Sequence, residues 1–190
     1  MDAEKREYYK RILRMRLSDK RYRHCLAVAQ EAVRLAEKYG ADPEDAEEAG
    51  LLHDITKETD EETHKYIISQ REIMTELEEK THKLWHAMSG AAYVQNQLKV
   101  ENEDIINSIR YHTTGRAGMS RLEQVIFIAD FTSADRDYKD VDIMRKKADE
   151  SLEEALRYSL GYTIRDIEKH GGTVHPDTIA AYEEYRGSFS

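Results

Sequence analysis

The chain has 190 residues, about one domain's length, and 39% hydrophobic residues, enough for one real core. Its 29 basic and 38 acidic residues leave a formal charge of −9, which excludes nucleic acid and anionic membrane as general partners unless a local site reverses the sign. Cys25 is the only cysteine, excluding an intrachain disulfide and a cysteine-based zinc site, and with no apolar leader or span a cytoplasmic protein is expected.

Only 9 Gly and 2 Pro interrupt the chain, and apolar residues recur three and four apart among good helix formers, so the sequence predicts an all-α fold. A first helix is expected over about residues 2 to 17. Ser18 or Asp19 caps a second, which ends at Gly40, a residue suited to the left-handed position after a helix. Asp42-Pro43 opens a third that carries Leu51-Leu52-His53-Asp54. Thr59 with Glu62, and Ser120 with Glu123, have capping-box spacing and open further helices; others are expected around 87 to 98 and 103 to 112. A charged stretch from about 142 to 170 stops at Gly171-Gly172, and His175-Pro176 starts a last short helix. No repeat or flexible linker divides residues 1–190, which therefore read as one domain with its C-terminal helices packed on the bundle.

Polar residues on apolar helix faces are the informative positions. His24 shares a face with Ala27, Val28 and Leu35; His53 follows Ala46 and Ala49; His112 follows Ile105 and Ile109; Asp130 follows Ile126 and Phe127. Any one such histidine is ordinarily a core residue bonded to a carbonyl. Four inward-facing His or Asp side chains on four helices, with the adjacent pair His53-Asp54, make a ligand set for a divalent metal held between helices, suited to iron, manganese or zinc rather than calcium or magnesium.

The order His24, His53-Asp54, Asp130 resembles the H…HD…D signature of the HD-domain phosphohydrolases. Leu84-Trp85-His86-Ala87-Met88-Ser89-Gly90-Ala91, Ile109-Arg110-Tyr111-His112-Thr113-Thr114-Gly115-Arg116, Ile126-Phe127-Ile128-Ala129-Asp130 and Val174-His175-Pro176-Asp177-Thr178 are similar to the bacterial YqeK family, over nearly the whole chain. That resemblance implies an HD-domain helical bundle, a di-iron centre and hydrolysis of diadenosine tetraphosphate to two ADP. It also implies that His86 and His112 serve a second metal, with Asp54 bridging the two ions. One segment departs from the family pattern. After the motif aspartate the family reads aromatic, apolar, Glu, Pro, any residue, Arg, whereas this chain has Phe131-Thr132-Ser133-Ala134-Asp135-Arg136; Arg136 is in register but Ser133 and Ala134 replace Glu and Pro.

The metal ligands expected are thus His24, His53, Asp54, His86, His112 and Asp130, around two divalent ions that turn water into hydroxide near neutral pH. Asp54, Lys57 and Arg136 are the expected catalytic residues, the two cations meeting charge on the leaving phosphate; if the helix continues past Asp54, Lys57 lies one turn beyond His53 on the same side. Thr113, Thr114 and Gly115, after His112, are candidate phosphate contacts alongside Lys57 and Arg136. In a formal count, two divalent ions, two carboxylates and two cationic side chains leave the pocket positive by about four charges, which fits a small nucleotide inside an acidic shell. The alternatives are an HD hydrolase of nucleoside di- or triphosphates, mononucleotides or a cyclic dinucleotide, and a non-catalytic nucleotide-binding module. A homodimer is compatible with the sequence.

The remaining polar residues have plainer readings. Cys25 is expected to be a buried small hydrophobe, His64 and His82 solvated surface residues, and His170 and His175 helix-end residues, while Arg110 reaches substrate or forms an outward salt bridge. The acidic runs at 44–48 and 60–62 are first turns of helices; Tyr158, Tyr162, Tyr182 and Tyr185 pack the C-terminal helices or line a nucleotide pocket.

Overall fold

Side-chain caps set most of the helix starts. In the computed structural model, described over residues 1–187, Asp2 caps α1 (Ala3–Arg16), Ser18 caps α2 (Asp19–Tyr39) and Asp42, followed by Pro43, caps α3 (Pro43–Leu52). Then follow α4 (Glu61–Ser69), α5 (Glu76–Lys80), a 3-10 turn at His82–Leu84, α6 (Trp85–Asn96), α7 (Glu103–Tyr111) and α8 (Arg121–Thr132). The chain continues through α9 (Val141–Glu150) and α10 (Leu152–Lys169) to α11 (Pro176–Arg186), with no strand among the described residues. No described helix is long and apolar enough to cross a membrane.

Four local expectations are corrected. The third helix stops at Leu52, so His53 is its C-cap; residues 53–59 run through successive tight turns, in which Ile55, Lys57 and Thr59 donate to the carbonyls of Leu52, Asp54 and Thr56. Asp60, not Thr59, caps α4, its carboxylate accepting from Thr63 N at 2.9 Å. The charged stretch from 142 is two helices broken at Ser151, whose extended backbone and hydroxyl, accepting from Glu154 N, restart the chain as α10. The Ser-x-x-Glu spacing at 151–154 carried that signal. His64 is buried, because α4 lays its His64–Ile68 face against α6; its Nδ1 pairs with Ser89 Oγ at 2.7 Å, and burial lowers its pKa.

The core is one large cluster to which α1, α2, α3 and α6 through α11 contribute, with a smaller one of Ile68, Trp85 and Met88 beneath α4. α2 and α8 form its axis, and α3 lies so close to α2 that a Cβ on Gly50 would sit 2.7 Å from Ala29 Cα. α1 is tied across α3 by Lys5 to Glu48 at 2.6 Å, Arg6 to Glu47, and Tyr9 Oη donating to Glu48 at 2.7 Å. Gly50→Ala is therefore expected to cost about 1–3 kcal/mol, since backbone rather than a flexible side chain meets the new methyl. A lowered urea midpoint checks this; an unchanged one would show that the two helices can separate freely.

Candidate metal centre

Five helices and the turn after α3 converge on one point. His24 comes from the second turn of α2, His53 and Asp54 from the end of α3, His86 from the start of α6, His112 from the C-cap of α7 and Asp130 from the last turns of α8. The four histidines and Asp54 are at most 4% exposed, and Asp130 is half-buried. The sequence-predicted ligands are thus all brought together.

The imidazoles are oriented before any ligand arrives. His53 Nδ1 lies 2.7 Å from the Gly50 carbonyl and His112 Nδ1 2.7 Å from the Ile109 carbonyl. A carbonyl can only accept, so Nδ1 carries the proton in both and each Nε2 presents a lone pair to the centre. His53 Nε2 is buried without a hydrogen-bond partner, as is Asp54 Oδ1. His86 Nε2 and His112 Nε2 face each other at 3.1 Å, where burial, and after it the proximity of His112 and Lys57, pushes the His86 pKa well down. Orphaned acceptors in an interior are costly unless a cation satisfies them, so this donor set fits a metal.

Asp54 divides the cluster. Its Oδ2 faces His53 Nε2 at 3.5 Å and His24 Nε2 at 3.9 Å; its Oδ1 faces His86 Nε2 at 3.3 Å and His112 Nε2 at 3.7 Å. Asp130 Oδ1 joins the first side, 3.0 Å from His24 Nε2 and 3.8 Å from His53 Nε2. His24, His53 and Asp130 form one group whose donor atoms lie within 4.8 Å of one another, and His53, Asp54 and His112 form another. Although burial alone would raise it, the Asp54 carboxyl is held well below the usual range by the electrostatic field of the histidines around it.

Cations ring the carboxylates. Arg21 Nη1 donates to Asp54 Oδ2 at 2.8 Å, and Arg136 donates to the Asp130 carbonyl at 2.6 Å and to its carboxylate. Lys57, brought in by the 53–59 turns rather than by a continued helix, puts Nζ 3.0 Å from His86 Nε2 and 3.9 Å from Asp54 Oδ1; burial lowers its pKa while Asp54 opposes that shift. Beside Asp130 opens a cleft of about 210 Å³ lined by Phe131, Arg136, Tyr138 and Tyr162.

Other sequence candidates lie elsewhere. Thr113 and Thr114 line a separate cleft with Thr163, His175 and Thr178, and Gly115, at φ 63°, packs on Leu160, Ala181 and Met119. Arg110 is buried and paired inward with Glu72 and Glu78, each at 2.8 Å, instead of reaching out to solvent. Burial, reinforced by Asp54, pushes the Cys25 thiol up, so it is not a nucleophile. His175 caps α11 by accepting from Asp177 N. Two contributors escaped sequence reasoning: Arg21, whose signal was its position one turn before His24, and Asp135, which lies in an irregular loop with no periodicity to read.

The HD domain family model matches residues 21–135, a span that contains all six candidate ligands. The chain is 39% identical to the symmetrical bis(5'-nucleosyl)-tetraphosphatase of Bacillus subtilis (strain 168), over 90% of this chain and 91% of that protein. It is 35% identical to the enzyme of the same name from Halalkalibacterium halodurans, over 91% and 92%. A crystal structure from Clostridium acetobutylicum, described as a predicted HD superfamily hydrolase involved in NAD metabolism, superposes with a TM-score of 0.92 at 36% identity, covering 95% of this chain and 96% of that one. With the ligand order, the helical frame and these likenesses in agreement, the chain belongs to the HD-domain hydrolases, and among them to the YqeK-type group.

Proposed function

We propose that this protein hydrolyses dinucleoside polyphosphates, diadenosine tetraphosphate above all, to two nucleoside diphosphates, using two divalent metal ions bridged by Asp54. The observation that carries the reading is the placement of Asp54, whose Oδ2 faces His53 and His24 and whose Oδ1 faces His86 and His112. His24, His53 and Asp130 would hold one ion, His86 and His112 the other, with iron(II) the proposed metal and manganese an acceptable substitute. When bound, such a pair lowers the pKa of water from ~15.7 to about 7 and polarises a phosphoryl oxygen.

The chain's own groups do the rest. Lys57 and Arg136 flank the ligand cluster on its open side, where they would pair with phosphate oxygens and meet the negative charge that gathers on the leaving ADP. Arg21, locked on Asp54 Oδ2, holds that carboxylate in the orientation in which its oxygens would serve the ions. The cleft beside Asp130 would take one nucleoside, its base stacking on the aromatic wall of Tyr138 and Tyr162, whose rings lie 6.1 Å apart. Tyr162→Ala is accordingly expected to raise KM about 5- to 100-fold, the loss of one stacked base, with kcat changed less than about threefold. Steady-state kinetics read this directly, and an unaltered KM would move the nucleoside elsewhere.

The functional reading is tested by purifying the protein anaerobically, loading iron(II) or manganese(II), and assaying a panel of nucleotides with chromatographic identification of products. Fast turnover of diadenosine tetraphosphate to ADP alone is expected. Release of AMP plus ATP, or preference for a mononucleotide or cyclic dinucleotide, would overturn it.

A further inference from the structure

The loop from Phe131 to Arg136 touches the ligand cluster through a residue outside the six candidate ligands. His24 Nδ1 lies 2.8 Å from Asp135 Oδ2, while Ser133 Oγ donates to Asp135 Oδ1 at 2.8 Å. Both carboxylate oxygens are therefore engaged, one by the histidine and one by a wholly buried hydroxyl. The loop is itself fixed. Arg145 of α9 donates to the carbonyls of Thr132 at 3.1 Å, Ser133 at 2.9 Å and Arg136 at 3.0 Å, and Arg136 N closes a turn on the Ser133 carbonyl at 3.0 Å.

His24 differs from its neighbours in this respect. His53 and His112 are oriented by carbonyls one turn back in their own chain segment, whereas His24 sits mid-helix, where the preceding carbonyls are occupied by the helix itself. Its ring must be oriented by something from outside α2. Ser133 braces the carboxylate supplied two residues later. We propose that Asp135 is a positioning residue for the metal centre: it accepts the Nδ1 proton of His24, fixes the ring with Nε2 toward the ion shared with His53 and Asp130, and is itself held by Ser133. A carboxylate in this place also makes the imidazole a stronger donor to metal. The inference rests on the two-metal reading above.

The experiment is a titration of the metal-free protein with manganese(II), counting free ion by its paramagnetic resonance signal, on wild type, Asp135→Ala, Asp135→Asn and Ser133→Ala. Wild type is expected to bind two ions per chain. Asp135→Ala should weaken one of them about 10- to 100-fold and leave the other unchanged. Asp135→Asn keeps an acceptor oxygen for the Nδ1 proton and an amide that Ser133 Oγ can receive, so it should recover at least half of the loss on a logarithmic scale. Ser133→Ala, which leaves every charge in place, should weaken the same ion by a smaller factor, and serves if Asp135→Ala does not fold. Two ions bound with wild-type affinity in Asp135→Ala, equal weakening of both, or no recovery in Asp135→Asn would each overturn the positioning role while leaving the two-metal reading intact. Failure of wild type to bind two ions would overturn both.

Discussion

Asp54→Ala and Asp54→Asn are each expected to lower turnover by at least about 1,000-fold with the helical content unchanged. The size follows from what the carboxylate touches: it is the one side chain that faces both groups of histidines, Oδ2 toward His24 and His53 and Oδ1 toward His86 and His112. Loss of an outer partner of a metal ligand typically costs 10- to 100-fold, and removal of a carboxylate that would be common to two ions costs more. Asn is no rescue, because it keeps the volume but gives up the negative charge and one of the two acceptors. Arg21 would then face an amide instead of a carboxylate, leaving its charge poorly compensated in a part-buried site. Kinetics on metal-loaded protein, with circular dichroism as the folding control, read the effect. An Asp54→Ala protein as active as its parent would sink the hydrolase reading.

Stripping the metal should act on both stability and binding. A ligand that binds only the folded state contributes about 2.7 kcal/mol when present at 100 times its Kd, so two ions at that excess contribute about 5 kcal/mol. For a chain of this size that corresponds to a Tm rise of roughly 10–20 °C on adding manganese(II) to metal-free protein, measured by scanning calorimetry. The physical source lies in the cluster: His53 Nε2 and Asp54 Oδ1 are buried without partners, and His86 and His112 bring their Nε2 atoms within 3.1 Å of one another. ADP affinity should fall at least about 100-fold on chelation. Without the ions, Asp54 and Asp130 offset Lys57 and Arg136, and the pocket becomes nearly neutral within a chain of net charge −9. Calorimetric titration of ADP with and without chelator decides the matter, and equal affinity in both would remove the metal from substrate binding.

The ligand set was legible in the sequence for a simple reason. Imidazole and carboxylate on faces otherwise made of Ala, Val, Leu and Ile violate the rule of burial, and His24, His53, His112 and Asp130 each broke it on a different helix. His86 needed the family resemblance, since most residues of α6 from Trp85 to Val94 are buried and the helix offers no contrast between faces. His64 shows the opposite error. Its Glu, Lys and Thr neighbours suggested solvent, but the residue one turn on is Ile68, and packing against α6 buried both. Thr59 and Asp60 differ by one position, and the ionised carboxylate took the cap.

Apart from Arg136, the loop at 131–136 defeated sequence reasoning. Irregular backbone has no period, so nothing in the sequence linked Asp135 to His24, 111 residues away, or Arg145 to the carbonyls it pins. By itself the sequence determined the all-α class, most helix starts and the candidate ligands His24, His53, His112 and Asp130, because caps and burial patterns act over a few residues within one element. Only the tertiary structure decided that Lys57 arrives on a turn, that Thr113, Thr114 and Gly115 line or pack other sites, and that Asp54 faces two ways. Those outcomes depend on where separate helix ends meet. Such meetings are set by the packing of α2, α3, α6, α7 and α8 against one another, which no local pattern encodes.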